Sequence, residues 1–174
     1  MVGGPAPDVN RLAASVISMA ATSREGITVT NEHRVRAPLA QTFAFVDDHR
    51  NVPDWMHGVE RFDPVDGRDH GLGALFDVVM HVGVPIRTRL EVTGWEQDAL
   101  LEFHSVTGFR TESRWTFEAL GADETLVTSR ITYHLPFGPA GRVMGKVMEP
   151  AVSRASERSS SELVRRVEEH AARG

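Results

Sequence analysis

Cysteine is absent from this chain of 174 residues. That removes a disulfide framework, a thiolate metal site and a cysteine nucleophile together. Positive charge is not in excess: the formal net charge is -5 and the isoelectric point is near 5.9. Nucleic-acid binding, which needs a basic footprint, is therefore not expected. The apolar run at residues 12–21 is too short to span a bilayer, since a spanning helix takes about 20 such residues. Repeats and low-complexity tracts are missing. Gly71-Leu-Gly73 is too short for a phosphate-binding fingerprint and precedes a strand, the wrong context for one. No serine sits in a nucleophile elbow. Tyrosine occurs once, as Tyr133.

Hydrophobic residues make up 41% of the chain and charged residues 25%, an ordinary balance for one globular domain with a real core. Residues 1–26 differ from the rest. The run from Leu12 to Ala21 resembles a weak signal-peptide core, but it follows a single Arg11 and contains two serines, which argues against secretion. This segment reads as a flexible, dispensable extension, and 27–174 as the folded domain. Met19 also offers a later start.

The folded part is mostly strand. Alternation predicts strands near 27–36, 59–65, 74–83, 86–96, 99–107, 109–119 and 126–135. Leu39, Phe43 and Val46 recur at helical spacing over 39–48, and Pro53 and Trp55 build a second short helix or turn over 52–58. After Pro136-Phe-Gly-Pro-Ala140 an amphipathic helix runs from about 140 to 172, carrying Val143, Val147, Ala151, Ala155, Leu163 and Val167 along one side. Met144, Met148 and Val152 widen that stripe, and Pro150 should kink it.

Side chains two apart share a sheet face. Phe109, Thr111, Ser113, Trp115 and Phe117 therefore oppose Arg110, Glu112, Arg114 and Glu118, and Ser129, Ile131 and Tyr133 oppose Thr128, Arg130, Thr132 and His134. Likewise Thr88 and Leu90 oppose Arg87, Arg89 and Glu91. One face is charged and solvated, as antiparallel sheets allow. The other is apolar and dotted with hydroxyls. Each hydroxyl alone reads as bonded to its neighbours, but several on one concave face suit a pocket for a mostly apolar ligand.

Eight histidines invite a metal reading, yet His81, His104 and His134 fall on outward phases. His49, His57 and His70 lie in or near loops without zinc spacing. His33 can turn inward, where a single histidine reads first as a core residue. Asp47, Asp48, Asp63, Asp66 and Asp69 read as solvated loop carboxylates. No catalytic residue, metal or cofactor is assigned.

The order of these elements resembles the START-like, polyketide cyclase and lipid-transport superfamily. Four segments carry the resemblance: Val35-Arg-Ala-Pro38, Asp48-His-Arg-Asn-Val-Pro-Asp-Trp55, Gly71-Leu-Gly-Ala-Leu-Phe76 and Leu135-Pro-Phe-Gly-Pro-Ala-Gly141. It covers about residues 27–170. It implies an α+β helix-grip fold: a curved antiparallel sheet of about seven strands around a long C-terminal helix, with two short helices between the first two strands. It also implies a cavity for a hydrophobic molecule. The expected lining is Trp55, Phe76, Val78, Met80, Leu90, Phe103, Phe109, Thr111, Ser113, Trp115, Ser129, Ile131, Tyr133, Met144, Met148 and Ala151. Trp55 matches the family's Pro-x-Trp tryptophan, and reads equally as a structural wedge.

Three functions follow as expectations. The first is binding or transport of a lipid, isoprenoid or polyketide-like molecule. The second is a cyclase or dehydratase using the cavity as a mould, with His33 or Tyr133 as acid or base. The third is a regulatory or toxin-like interaction protein. Cyclases of the superfamily place an arginine inside the cavity, whereas Arg87, Arg89, Arg110, Arg114 and Arg130 fall outward here. The expected partner is a small hydrophobic ligand, with no nucleic acid and no stable membrane insertion. A cytoplasmic monomer or weak homodimer is expected.

Overall fold

Apolar–polar alternation produces a sheet wetted on one side, and one helix closes the other. A computed structural model describes residues 17–22, 26–136 and 138–173. Its strands are β1 Ile17–Thr22, β2 Gly26–Val35, β3 Val59–Pro64, β4 Leu75–His81, β5 Pro85–Glu96, β6 Leu100–Gly108, β7 Thr111–Gly121 and β8 Glu124–His134. They form one antiparallel sheet in the order β1-β2-β8-β7-β6-β5-β4-β3. Between β2 and β3 lie helix α1, Leu39–Asp47, a 3₁₀ turn at His49–Asn51 and helix α2, Val52–Trp55. Helix α3, Pro139–Ala171, ends the fold in the grip of a curled half-barrel.

The faces follow the alternation. Along β2, Ile27, Val29, Asn31, His33 and Val35 are all buried, and pairing with β8 sets Asn31 opposite Ser129 and Ile27 opposite Tyr133. Trp115 pairs with Leu101 on one side and Ser129 on the other, so their inward side chains meet over the concave face.

The segment expected to lie outside the fold supplies β1, which pairs with β2 from Ile17↔Glu32 to Thr22↔Ile27. Residues 1–16 and 23–25 of that extension lie outside the described residues. The sequence Ile-Ser-Met-Ala-Ala-Thr has weak strand preference, and the open edge of β2 overrides it. Deleting residues 1–24 is expected to leave the domain folded, with a loss of no more than about 2 kcal/mol, because only an edge strand is removed. The bared edge of β2 should instead raise self-association. Urea titration and gel filtration check both; a larger loss would make β1 part of the core.

Two further expectations are corrected. The helix stripe through Val143, Val147 and Ala151 is not the packed face: Val143 and Val147 are 65% and 45% exposed. The packed face runs through Gly141, Gly145, Met148, Val152, Ala155, Ser160, Leu163, Val164 and Val167. A side chain at Gly141 would lie 1.6 Å from the Pro136 carbonyl oxygen, so glycine there lets α3 press against the strand exit and sets its rotation. The helix continues through Pro150, leaving the Lys146 carbonyl without its intrahelical donor. Phe109 does not open β7. It follows Gly108, whose φ of +83° favours glycine, and its N–H donates to the Arg87 carbonyl at 3.1 Å.

Candidate ligand-binding cavity

Trp55 reaches the core by a short relay of local contacts. Asp48 accepts the Arg50 N–H at 3.0 Å, opening the 3₁₀ turn. Asn51 Nδ2 donates to the Phe45 carbonyl at 3.0 Å, tying that turn to α1. Pro53 stands in the first turn of α2, where its missing N–H costs nothing. Val52 and Trp55 are thereby turned inward, and Trp55 meets Trp115 edge-on at 5.4 Å and 81°.

Around this pair the sheet, α2 and α3 leave a cavity with two lobes. Trp55, Met56, Met80, Trp115, Ile131 and Tyr133 line both. The first lobe extends toward α3 and β2, along Val29, Asn31, His33, His57, Ser129, Val152, Ala155, Ser156, Ser159 and Leu163. The second extends across the sheet to Val46, Phe62, Leu90, Leu101, Phe103, Thr111 and Ser113. The space open to the centre of a water molecule is about 40 Å³ in the first lobe and about 60 Å³ in the second. One water needs about 10–15 Å³ on this measure, so each lobe admits a few waters.

Among the described residues, no Asp, Glu, Lys or Arg lines either lobe. Several polar side chains there are already committed. Thr111 donates to the Thr132 carbonyl at 3.0 Å. Asn31 Nδ2 donates to Ser129 Oγ at 3.3 Å, and Ser156 donates to Asn31 Oδ1 at 2.7 Å. Others are not. Trp55 Nε1 and His33 Nδ1 are buried with no hydrogen-bond partner among the described residues. Burial lowers the His33 pKa to about 4, so its ring is neutral at pH 7. Burial also pushes the Tyr133 hydroxyl up to about 12, so it stays protonated.

The mouth of the first lobe is crossed by polar contacts. The His57 N–H donates to Ser159 Oγ at 2.8 Å, and Arg158 donates to His57 Nε2 at 3.3 Å. This joins the end of α2 to the middle of α3.

Of the expected lining residues, Trp55, Met80, Leu90, Phe103, Thr111, Ser113, Trp115, Ser129, Ile131 and Tyr133 come together around the lobes. The others lie elsewhere. Phe76 packs in an aromatic cluster with Phe62 at 4.9 Å and Phe103 at 6.4 Å. Val78 and Met148 are fully buried core residues. Ala151 lies under the turn at Gly83. Phe109 and Met144 share a separate open basin with Arg110, His134 and Leu135. Asn31, Ser156 and Ser159 were missing from the expected set. The phase of Ile27 and Val29 pointed to Asn31, and helical spacing from Val152 pointed to the serines.

A curved sheet closed by a helix over an apolar, uncharged cavity defines a helix-grip protein. The chain belongs to the polyketide cyclase/dehydrase and lipid transport family, which it matches over residues 26–168. No curated protein matches it. Among solved structures it resembles TTHA0849 from Thermus thermophilus, with 23% identity and a TM-score of 0.67 over 80% of this chain and 96% of that one. A START superfamily protein from Mycobacterium smegmatis is 17% identical, with a TM-score of 0.63 over 82% and 97%. The Zhui aromatase/cyclase from Streptomyces sp. R1128 is 16% identical, with a TM-score of 0.61 over 84% and 93%. These likenesses establish the fold. Among the described residues no helix is long and apolar enough to cross a membrane, and no cluster of His, Cys, Asp or Glu could hold a metal ion.

Proposed function

We propose that this protein binds and carries a mostly apolar small molecule in the cavity between sheet and α3. The observation that carries the reading is an uncharged cavity lined by His33 and Trp55, whose ring nitrogens Nδ1 and Nε1 are buried without partners among the described residues. Leaving such groups unmade costs about 1–3 kcal/mol each, a cost that a bound ligand offsets. The lobes are smaller than the about 300–1,000 Å³ of most ligand pockets. Binding a lipid-sized molecule therefore goes with a parting of α2 from α3 at the His57–Ser159 contact. That contact is exposed and so is weak enough to open.

A thermal-shift screen of sterols, isoprenoid quinones, fatty acids and aromatic polyketides tests the reading. A ligand at a hundred times its dissociation constant adds about 2.7 kcal/mol, and each kcal/mol raises Tm by about 2–4 °C at this size. A rise of several degrees is expected with one class. Tyr133→Phe should shrink the rise for a ligand with a polar head, and Ser129→Val should act similarly or block entry. No shift with any class, and no copurified lipid by native mass spectrometry, would remove the support for a carrier.

A mould for polyketide cyclisation is the second reading. It is favoured by His33, a neutral imidazole, facing the same lobe as Tyr133.

A further inference from the structure

The polar atoms of the first lobe divide into a closed set and an open set. Asn31, Ser129 and Ser156 bond to one another, while Ser159 and Ser160 donate back to the Ala155 and Ser156 carbonyls at 2.7 and 2.8 Å. Outside that set stand the Trp55 indole N–H and His33 Nδ1, on side chains only 3% and 2% exposed. Both residues line the same lobe, as does the Tyr133 ring.

Resting on the carrier reading, we infer that the first lobe holds the ligand's polar head, and that this head is a neutral oxygen function, a carbonyl or hydroxyl, not a carboxylate. The chemistry of the open set selects it. An indole nitrogen only donates, and a neutral imidazole offers one donor and one acceptor. A ketone or quinone oxygen can accept from the indole, and a hydroxyl can bond either the indole or the imidazole. A carboxylate brings a full charge into a lobe lined by no cation, which is costly when no counter-charge is buried with it. Arg158 stays on the exposed rim, engaged with His57. Protonating His33 would supply a counter-charge only against the burial that lowers its pKa to about 4 in the unliganded cavity.

Four naphthalenes of nearly equal size separate the possibilities: 2-naphthol, 2-acetylnaphthalene, 2-ethylnaphthalene and 2-naphthoate, titrated calorimetrically at pH 7.5. The naphthol and the ketone should bind about tenfold more tightly than the ethyl compound, as one or two net hydrogen bonds provide. The naphthoate should bind most weakly. Trp55→Phe should abolish the ketone's advantage over the ethyl compound, and His33→Leu should reduce that of the naphthol. The quantity compared is the ratio of ketone or naphthol affinity to ethylnaphthalene affinity within each variant, so a loss of apolar contact common to all the ligands cancels. In the unaltered protein, the Trp55 indole ¹⁵N–¹H resonance should move downfield with the ketone and not with the ethyl compound, a readout independent of variant stability. Equal affinities for ethyl and ketone compounds, an unmoved indole resonance or tightest binding of the naphthoate would each overturn the head-group inference while leaving the carrier reading standing. Failure of all four to bind, ethylnaphthalene included, would count against both.

Discussion

Trp115→Ala is expected to lower stability by about 3 kcal/mol, the lower end of the range for emptying a tryptophan site in a core. The indole is 5% exposed, stands edge-on to Trp55 at 5.4 Å and separates the two lobes, lining both. Because part of its surface already faces empty space, the surrounding atoms lose fewer contacts than in a filled core. For a domain of this size the loss corresponds to a fall in Tm of about 6–12 °C. Trp115→Phe should keep most of the wall and lose much less. A change below about 1 kcal/mol on urea denaturation would mean that Trp115 is not part of the packed face. Its neighbour Arg114, paired with Glu102 on the exposed side, marks the opposite phase of the same strand. An Arg114 variant should therefore stay near neutral, as exposed ion pairs do.

Acid should cost this protein stability through His33. In the fold the ring titrates at about 4 because burial disfavours its charged form, against an ordinary value of 6.5. Between those values the unfolded chain takes up a proton that the folded chain refuses. Stability is therefore unaffected above about pH 6.5 and falls as the pH drops toward 4, by roughly 3 kcal/mol in full. Carboxylates titrate near the lower end of the same window, so the informative quantity is a difference between proteins. From pH 7.5 to 4.5 the natural chain should lose roughly 2–3 kcal/mol more than His33→Leu, in which that proton has no site. Equal losses in the two proteins would show that His33 is protonated, or open to water, in the folded state. A saturating neutral ligand that seals the lobe should steepen the dependence, since it further disfavours the charged ring.

Much of this architecture was legible in local pattern. Strand alternation has a period of two, so a correct register on one strand assigns every side chain on it. That is why Trp115, Ser129, Ile131 and Tyr133 were expected inward and stand there. The same rule put Arg87, Arg110, Arg114 and Arg130 outside, and none of them lines a lobe. Local rules failed where a contact distant in sequence decides. The rotation of α3 depends on the approach of Gly141 to Pro136, and the two valines one turn apart at Val143 and Val147 did not outweigh it. The edge strand β1 exists because β2 has an unpaired side, not because Ile17–Thr22 favours a strand.

The sequence by itself determined the fold class, the wet and dry faces of the sheet and the absence of charge on the inward phase of the strands near 86–96, 109–119 and 126–135. Each follows from the residue types and from a periodicity that the backbone imposes on neighbours. Only the tertiary structure decided which inward groups share a cavity and which of them are left without partners. Thr88 and Thr111 look equivalent to Tyr133 in the sequence, but their hydroxyls return to strand carbonyls. Trp55 and His33 lie on different elements, yet packing brings them to one lobe and bonds neither of their buried ring nitrogens among the described residues. A hydrogen bond is met or missed at about 3 Å, and distances of that order between residues far apart in the chain are settled by packing, not by spacing along it.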